Sequence, residues 1–184
     1  MACSSEKFKN WLINSYLERF GNIPDPGAVN SAIGAINSKA MIRGESHKLH
    51  NRIAKIENEI WYDLADKNNK AIKITENGWE IVEDVPTIFR RSVQQEEQVV
   101  PIKGGDLKEL FKYVNVPDPV QQLLLQIYLV SCFIPGFPHV LIYIHGEQGS
   151  AKTTLSRFIR RLVDPSKIEV VHMPRDPREL KIQL

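Results

Sequence analysis

The N-terminal part of the chain repeats its apolar positions every three or four residues, which is the period of an amphipathic helix. The first such stretch runs from Glu6 to Phe20. Its apolar face carries Phe8, Trp11, Leu12, Tyr16 and Phe20. Asp25 and Pro26 then supply an N-cap and a first helical residue, and a second apolar face continues until Gly44. The pattern predicts two helices that pair as a hairpin.

From Leu49 to Arg91 the apolar positions alternate with polar ones, so the period falls to two. The apolar side chains of these stretches include Ile60, Tyr62, Leu64, Ile72, Ile74, Trp79 and Ile81. The turn-forming sequences between them are Glu57–Asn58, Asp66–Asn69 and Glu76–Gly78. This pattern predicts an antiparallel meander of four or five strands. Trp61, Tyr62 and Trp79 could stack on single-stranded bases, but packing in the core of a small sheet is the simpler interpretation.

The second half of the chain has a different pattern. The segment 92–100 is polar and weakly patterned, which indicates a linker. A short helix follows near Leu107, and Asp118-Pro119 begins a strongly apolar helix that we expect to be buried as far as Cys132. An apolar strand over His139–His145 then leads into a glycine-bearing turn and an amphipathic helix.

Composition narrows the functional classes. The 184 residues carry a formal net charge of +2, which is too small for nucleic-acid binding by bulk electrostatics. Cys3 and Cys132 are the only cysteines, which argues against a disulfide framework, and we interpret Cys132 as a small buried hydrophobe. The N-terminus lacks the apolar core of a signal peptide, and the longest apolar run, Leu123–Phe137, is shorter than the ~20 residues that span a bilayer. We expect a cytoplasmic protein with no membrane partner.

The turn after the predicted strand matches a phosphate-binding pattern. Gly146, Lys152 and Thr153 meet the spacing G-x-x-x-x-G-K-[ST], with Gly149 inside the turn. Ala151 stands where the second glycine of the pattern belongs. We expect this alanine to cost little, because a residue that starts a helix has a negative φ. Backbone N–H groups of such a turn fold inward around a phosphate chain, and the helix N-terminus adds a partial positive charge.

These residues predict a site for a nucleoside triphosphate, with ATP and Mg²⁺ as the cofactors. Lys152 is expected to contact the β- and γ-phosphates, and the Thr153 hydroxyl is expected to hold Mg²⁺. The expected cofactor-binding residues are Gly146, Glu147, Gln148, Gly149, Ser150, Ala151, Lys152, Thr153 and Thr154. The competing interpretation is an ordinary glycine turn between a strand and a helix, with Lys152 as a solvated surface residue.

The motif and its surroundings resemble a known family. The stretch GEQGSAKTT at residues 146–154, with GGDLKELFKYVNVPD before it, is similar to ATP-binding proteins of the phage and prophage primase-helicase type. Minichromosome-maintenance helicases also have an alanine just before the lysine of this loop. The stretches FKNWLINSYLERFGNIP and EIWYDLADKNNKAIKITENGWEIV resemble the region that precedes the ATPase core in such phage proteins.

The resemblance implies an ATP-driven motor that acts on DNA during replication of a phage or mobile element. DNA would be contacted through the parent protein, and a homo-oligomeric ring would form if the full core is present. The expected fold class is α/β. It comprises an N-terminal α+β accessory domain over residues 1–91 (the helical hairpin plus the antiparallel meander), a linker over 92–100, and a truncated P-loop NTPase core over 101–184.

One requirement of such a motor is not met. It needs an acidic residue at the end of an apolar strand, to hold Mg²⁺ and orient water. Beyond the loop helix we expect a strand over Ile168–His172 and a short helix from Asp176. The acids of this region are Asp164, Glu169, Asp176 and Glu179, and none ends a predicted strand. We therefore assign no catalytic residue, expect nucleotide binding without efficient hydrolysis, and expect the chain to end before the acidic strand.

Other interpretations stay open. A non-catalytic nucleotide-binding or protein-interaction module would also lack the second acidic site. A small P-loop kinase would need a lid and an acceptor pocket, which the sequence does not offer. The arginines of the C-terminal region are Arg157, Arg160, Arg161, Arg175 and Arg178. They could contact nucleic acid or a neighbouring subunit, but a solvated helix face is the simpler interpretation. His47 and His50 have no partners at metal-ligand spacing, which favours a surface pair.

Overall fold

The structure is a computed structural model, which describes residue 3 and residues 5–170. Helices and sheets occur together, so the chain has a mixed α/β fold, as expected. The chain divides into two compact units between His47 and Lys48. The sequence pattern predicts a further boundary at the segment 92–100.

The first unit contains two helices in contact with each other, α1 (Glu6–Phe20) and α2 (Pro26–Arg43). The Asp25 carboxylate caps α2 by accepting hydrogen bonds from the Gly27 and Ala28 N–H groups at 2.8 and 3.1 Å. Gly21 ends α1 in the left-handed conformation, with φ of 74°. The predicted helical hairpin is confirmed. The cap residues that determine where α1 ends and where α2 begins can be read from the sequence.

The second unit begins with six strands. They are β1 (Leu49–His50), β2 (Ile53–Ile56), β3 (Glu59–Asp63), β4 (Ala71–Thr75), β5 (Gly78–Val82) and β6 (Ile88–Phe89). Strands β2 to β5 form an antiparallel sheet in chain order, which confirms the meander, and β1 pairs with β6 in parallel. Trp61 and Tyr62 are buried and Trp79 is half-buried. Core packing is therefore the correct interpretation for the first two aromatic side chains.

The regular elements in the described remainder of the second unit are helices. They are a 3₁₀ helix (Leu107–Lys112), α3 (Pro119–Ser131) and α4 (Lys152–Val163). The buried core of this part consists of Leu110, Val114, Leu125 and Leu129, and Leu155, Phe158 and Ile159 of α4 pack against it. The expectation that α3 is a buried helix is wrong for one of its faces, since Leu123, Leu124 and Ile127 are exposed. The α3 face that carries Leu125 and Leu129 packs against the 3₁₀ helix and α4.

The segment that leads into α4 differs from the prediction. No strand is formed over His139–His145, and no hydrogen bond joins the backbone of residues 138–145 to another described residue. A strand requires a neighbouring strand, and the described residues supply none at this place. Residues 168–170 of the second predicted strand are also irregular. His172, Arg175, Asp176, Arg178 and Glu179 lie outside the described residues.

The segment 92–100 forms hydrogen bonds with the sheet region of the second unit and with the residues just beyond α4. The Gln98 N–H group donates to the Leu64 carbonyl at 2.8 Å, which ties the segment to the sheet region. The Glu96 N–H group donates to the Pro165 carbonyl at 3.0 Å, and Gln95 pairs with Ser166 in an isolated β-bridge. The meander and the C-terminal end of α4 are thus connected through this segment.

Candidate phosphate-binding site

Residues 146–151 turn sharply before α4 begins. Gly146 and Gly149 have φ values of 148° and 84°, in the range that favours glycine. A Cβ atom at Gly146 would lie 2.7 Å from the Ser150 Oγ, so a side chain there would also displace the serine. A Cβ atom at Gly149 would meet open space, so only its backbone conformation favours glycine. The two glycines of the motif are therefore required for different reasons.

Ala151 has the conformation that the motif's consensus glycine would adopt easily. Its φ and ψ are 61° and 25°, which is the left-handed helical region. The expectation of a negative φ is wrong, because Ala151 immediately precedes α4 instead of lying in its first turn. A left-handed conformation costs an L-residue about 1–2 kcal/mol. The loop therefore holds this backbone strain at the residue before the lysine.

The Lys152 ammonium group folds back over the loop. Its Nζ donates hydrogen bonds to the Gly146 carbonyl at 2.9 Å, the Glu147 carbonyl at 2.6 Å and the Ser150 Oγ at 3.2 Å. All three acceptors belong to the turn itself, so the lysine closes the turn from within. The interpretation of Lys152 as a fully solvated surface residue does not account for these contacts.

The N-terminus of α4 leaves backbone donors free. No side chain caps the helix, and the described residues offer no acceptor to the N–H groups of Lys152, Thr153 and Thr154. The first backbone bond of the helix runs from the Leu155 N–H to the Ala151 carbonyl at 3.0 Å. Free N–H groups at a helix N-terminus favour a bound anion.

The expected cofactor-binding residues form the turn 146–151 and the first three residues of α4. Glu147, Gln148, Thr153 and Thr154 are exposed, while Ser150 and Lys152 are half-buried. Free amides, an ammonium group and an exposed hydroxyl at Thr153 are the donor set that a triphosphate with Mg²⁺ requires. The residues present therefore fit this cofactor.

The other end of α4 is held by side chains distant in sequence. Arg52 is only 5% exposed, and its Nε donates to the Asp164 Oδ1 at 2.7 Å. The same guanidinium donates to the carbonyls of Asp63, Glu96 and Pro165 at 3.1, 2.7 and 3.2 Å. It also lies 5.6 Å from the centre of the Tyr62 ring. This guanidinium thus connects the sheet, the segment 92–100 and the end of α4.

Tyr62 and Gln98 complete the contact with the helix end. The Tyr62 hydroxyl donates to the Val163 carbonyl at 2.9 Å. The Gln98 Nε2 donates to the Tyr62 hydroxyl at 3.0 Å and to the Arg161 and Leu162 carbonyls at 3.2 and 3.1 Å. Burial raises the pKa of Tyr62, while the Gln98 bond opposes that shift. We call Arg52, Tyr62, Gln98 and Asp164 the helix-end cluster. No sequence pattern predicts this cluster, because each of its members has an ordinary local explanation.

The arginines of α4 that the structure describes are paired with acids. Arg157 and Arg161 both contact the Glu169 carboxylate, the former at 3.3 Å. Arg160 lies 3.4 Å from Asp164. Asp164 and Glu169, which are two of the four acids considered for a second Mg²⁺-binding site, are therefore partners of arginine. Across residues 5–170, His, Cys, Asp and Glu side chains form no group of three that could hold a metal ion.

An apolar groove of about 600 Å³ lies between α3 and the unpaired segment 138–145. Leu124, Tyr128, Val140 and Leu155 are among its lining residues. Cys132 lines a smaller neighbouring cavity of about 300 Å³ and is half-buried, so the predicted burial of this side chain is only partial. Partial burial still raises the pKa of this thiol.

Comparisons with known proteins identify no relative, so the evidence for function comes from the candidate site. No family model, curated protein or solved structure matches this chain. Within residues 5–170, no helix is both long enough and apolar enough to cross a bilayer.

Proposed function

We propose that residues 146–154 bind the phosphates of ATP together with Mg²⁺. The observation that carries this proposal is the closed turn before α4. Two glycines and Ala151 have positive φ, the amides of Lys152, Thr153 and Thr154 are free, and the Lys152 ammonium lies over the turn. Amides and ammonium together would neutralise the phosphates, and the Thr153 hydroxyl would hold Mg²⁺.

We further propose that ATP binding serves a helicase-like ATPase in the replication of phage or mobile-element DNA. This part rests on the resemblance of the loop and its flanks to primase-helicase proteins. It includes the N-terminal part of a P-loop NTPase core over residues 101–184, contact with DNA through the parent protein, a homo-oligomeric ring if the full core is present, and a cytoplasmic location. The pairing of Asp164 and Glu169 with arginines supports binding without efficient hydrolysis by this chain.

The loop is tested by titrating a fluorescent ATP analogue, with Mg²⁺, into the wild type and Lys152→Ala. A hydrogen bond to a charged group contributes about 1.5–3 kcal/mol, so the variant is expected to bind roughly ten- to a hundredfold more weakly. Lys67→Ala is the matched control, because Lys67 is exposed in a turn of the meander. Equal affinities of the wild type and Lys152→Ala would end the nucleotide proposal.

The competing function is a non-catalytic protein-interaction module. The unpaired segment 138–145 favours it, since Leu141 and Tyr143 are 99% and 84% exposed. Phosphate release, measured with and without single-stranded DNA, separates an active motor from either passive function. DNA-stimulated release would contradict the proposal that this chain lacks a hydrolytic site.

A further inference from the structure

The loop and the helix-end cluster are attached to opposite ends of one helix. Helix α4 runs from Lys152 to Val163, so its length is about 18 Å at 1.5 Å per residue. A short helix behaves as a rigid rod on this scale. A change in the position of its C-terminal end therefore moves the N–H groups at its N-terminus.

Helix α4 has few other fixed anchors. None of its residues is fully buried, and its N-terminus has no side-chain cap. Its apolar side chains, such as Leu155, Phe158 and Ile159, all pack against the same apolar core. Apolar packing is not directional, so it permits small rotations and translations of the helix. Among the described residues, the hydrogen bonds of the helix-end cluster join the end of α4 to the sheet and to the segment 92–100, and these bonds are directional.

Arg52 is the centre of these directional contacts. Its guanidinium binds Asp164 and Pro165 just beyond α4, while its other hydrogen bonds go to Asp63 and Glu96. Planar guanidinium donors have fixed directions, so this arrangement defines both the distance and the orientation of the helix end. Lysine would retain the charge but would lose the fork of donors.

We propose that Arg52 is a positioning residue for the phosphate-binding loop, and that nucleotide binding and the helix-end cluster stabilise one another through α4. This inference rests on the proposed function, since it concerns the same nucleotide. By linkage, a contact that favours the binding-competent position of α4 is itself favoured when nucleotide binds. Arg52 contacts the end of α4 that lies opposite the loop, so its effect on the loop would pass through the helix.

The affinity test compares Arg52→Met with a matched arginine in the same sheet region. Arg91 donates to the Asp63 carboxylate at 2.8 and 2.6 Å and to the Asp66 carbonyl, and none of its hydrogen bonds or ion pairs among the described residues reaches α4. Arg91→Met therefore removes a comparable network without touching the helix. The fluorescent ATP analogue is titrated at low temperature, after circular dichroism shows that each variant is folded.

We expect Arg52→Met to bind the analogue about tenfold more weakly and Arg91→Met to bind like the wild type. Equal affinity of folded Arg52→Met and the wild type would overturn the positioning role while leaving the proposed function intact. An equal loss in both variants would also overturn it, because general destabilisation would then explain the effect. A wild type that does not bind the analogue would overturn the proposed function, and this inference with it.

Hydrogen exchange in the wild type gives a readout that needs no folded Arg52 variant. The reporters are the amides of Asp164, Lys167 and Glu96, which donate to the Arg160, Gln94 and Pro165 carbonyls. Saturation with the ATP analogue is expected to slow their exchange in the wild type and to leave it unchanged in Lys152→Ala. Exchange that is unchanged in a wild type shown to bind the analogue would contradict the coupling.

Discussion

Single residues of the loop differ in what they require of the backbone. Gly146 is needed for space and for its φ, and Gly149 for its φ alone. Ala151 adopts a left-handed conformation despite its methyl group. The sequence shows that alanine replaces a consensus glycine, but it does not show whether the φ of this residue is positive or negative. That depends on where the helix begins, and helix starts are fixed by the surrounding turn.

Replacing Ala151 by glycine is expected to stabilise the protein by about 0.5–1 kcal/mol. The change removes a strain of about 1–2 kcal/mol but adds backbone freedom to the unfolded chain. Urea unfolding at 25 °C measures the difference. Ala151→Val is the opposing variant, since a β-branched residue is more strained at positive φ, and it is expected to destabilise. Destabilisation by both substitutions would mean that Ala151 is helical.

At the scale of elements, the sequence predicts those helices and strands whose ends are determined by residues close to them in the chain. Helices α1, α2 and α3 begin beside Ser5, Asp25 and Asp118, whose side chains accept hydrogen bonds from the first turn. The meander followed from period-two alternation and its turns. The helix-end cluster was not predictable, because Arg52 and Asp164 are 112 residues apart and Asp164 is an ordinary turn residue by sequence. The free edges of 138–145 were missed because strand composition does not reveal whether a neighbouring strand exists.

The contact between the sheet and the end of α4 is expected to depend on pH through Tyr62. Burial raises the pKa of Tyr62 above its usual 10.0, so the unfolded chain releases this proton at a lower pH than the folded one. The free energy of unfolding is therefore expected to fall as the pH rises above about 10. Below that pH the stabilisation is fully present.

The measurement compares urea unfolding of the wild type and Tyr62→Phe between pH 8 and 11. The variant is expected to be less stable at pH 8, because the Val163 carbonyl loses its donor, and the difference is expected to shrink at high pH. Tyr143→Phe is the control, since Tyr143 is exposed. A difference that stays constant across this range would argue that Tyr62 does not titrate differently in the folded state.

At the scale of the molecule, the second unit joins two kinds of stabilisation. An apolar core holds α4 against α3 and the 3₁₀ helix. A polar network joins the other end of α4 to the meander through Arg52 and the segment 92–100. The nearby buried Asp63 is neutralised by Arg91, so the buried charges of this region are paired. Helix α4, which follows the turn 146–151, is therefore attached to both parts of the unit.

The backbone of residues 138–145 forms no hydrogen bond with another described residue, and this has a consequence for the protein in concentrated solution. Val140–Ile144 is a run of apolar, β-forming residues without charge or proline, which is the composition of aggregation-prone segments. Leu141→Lys is expected to slow the formation of thioflavin-binding aggregates with little loss of stability, because Leu141 is fully accessible to solvent. Asn68→Lys adds the same charge to an exposed turn, so an equal delay would assign the effect to net charge alone. Conditions that keep this segment covered would then govern how well the protein can be expressed, stored and crystallised.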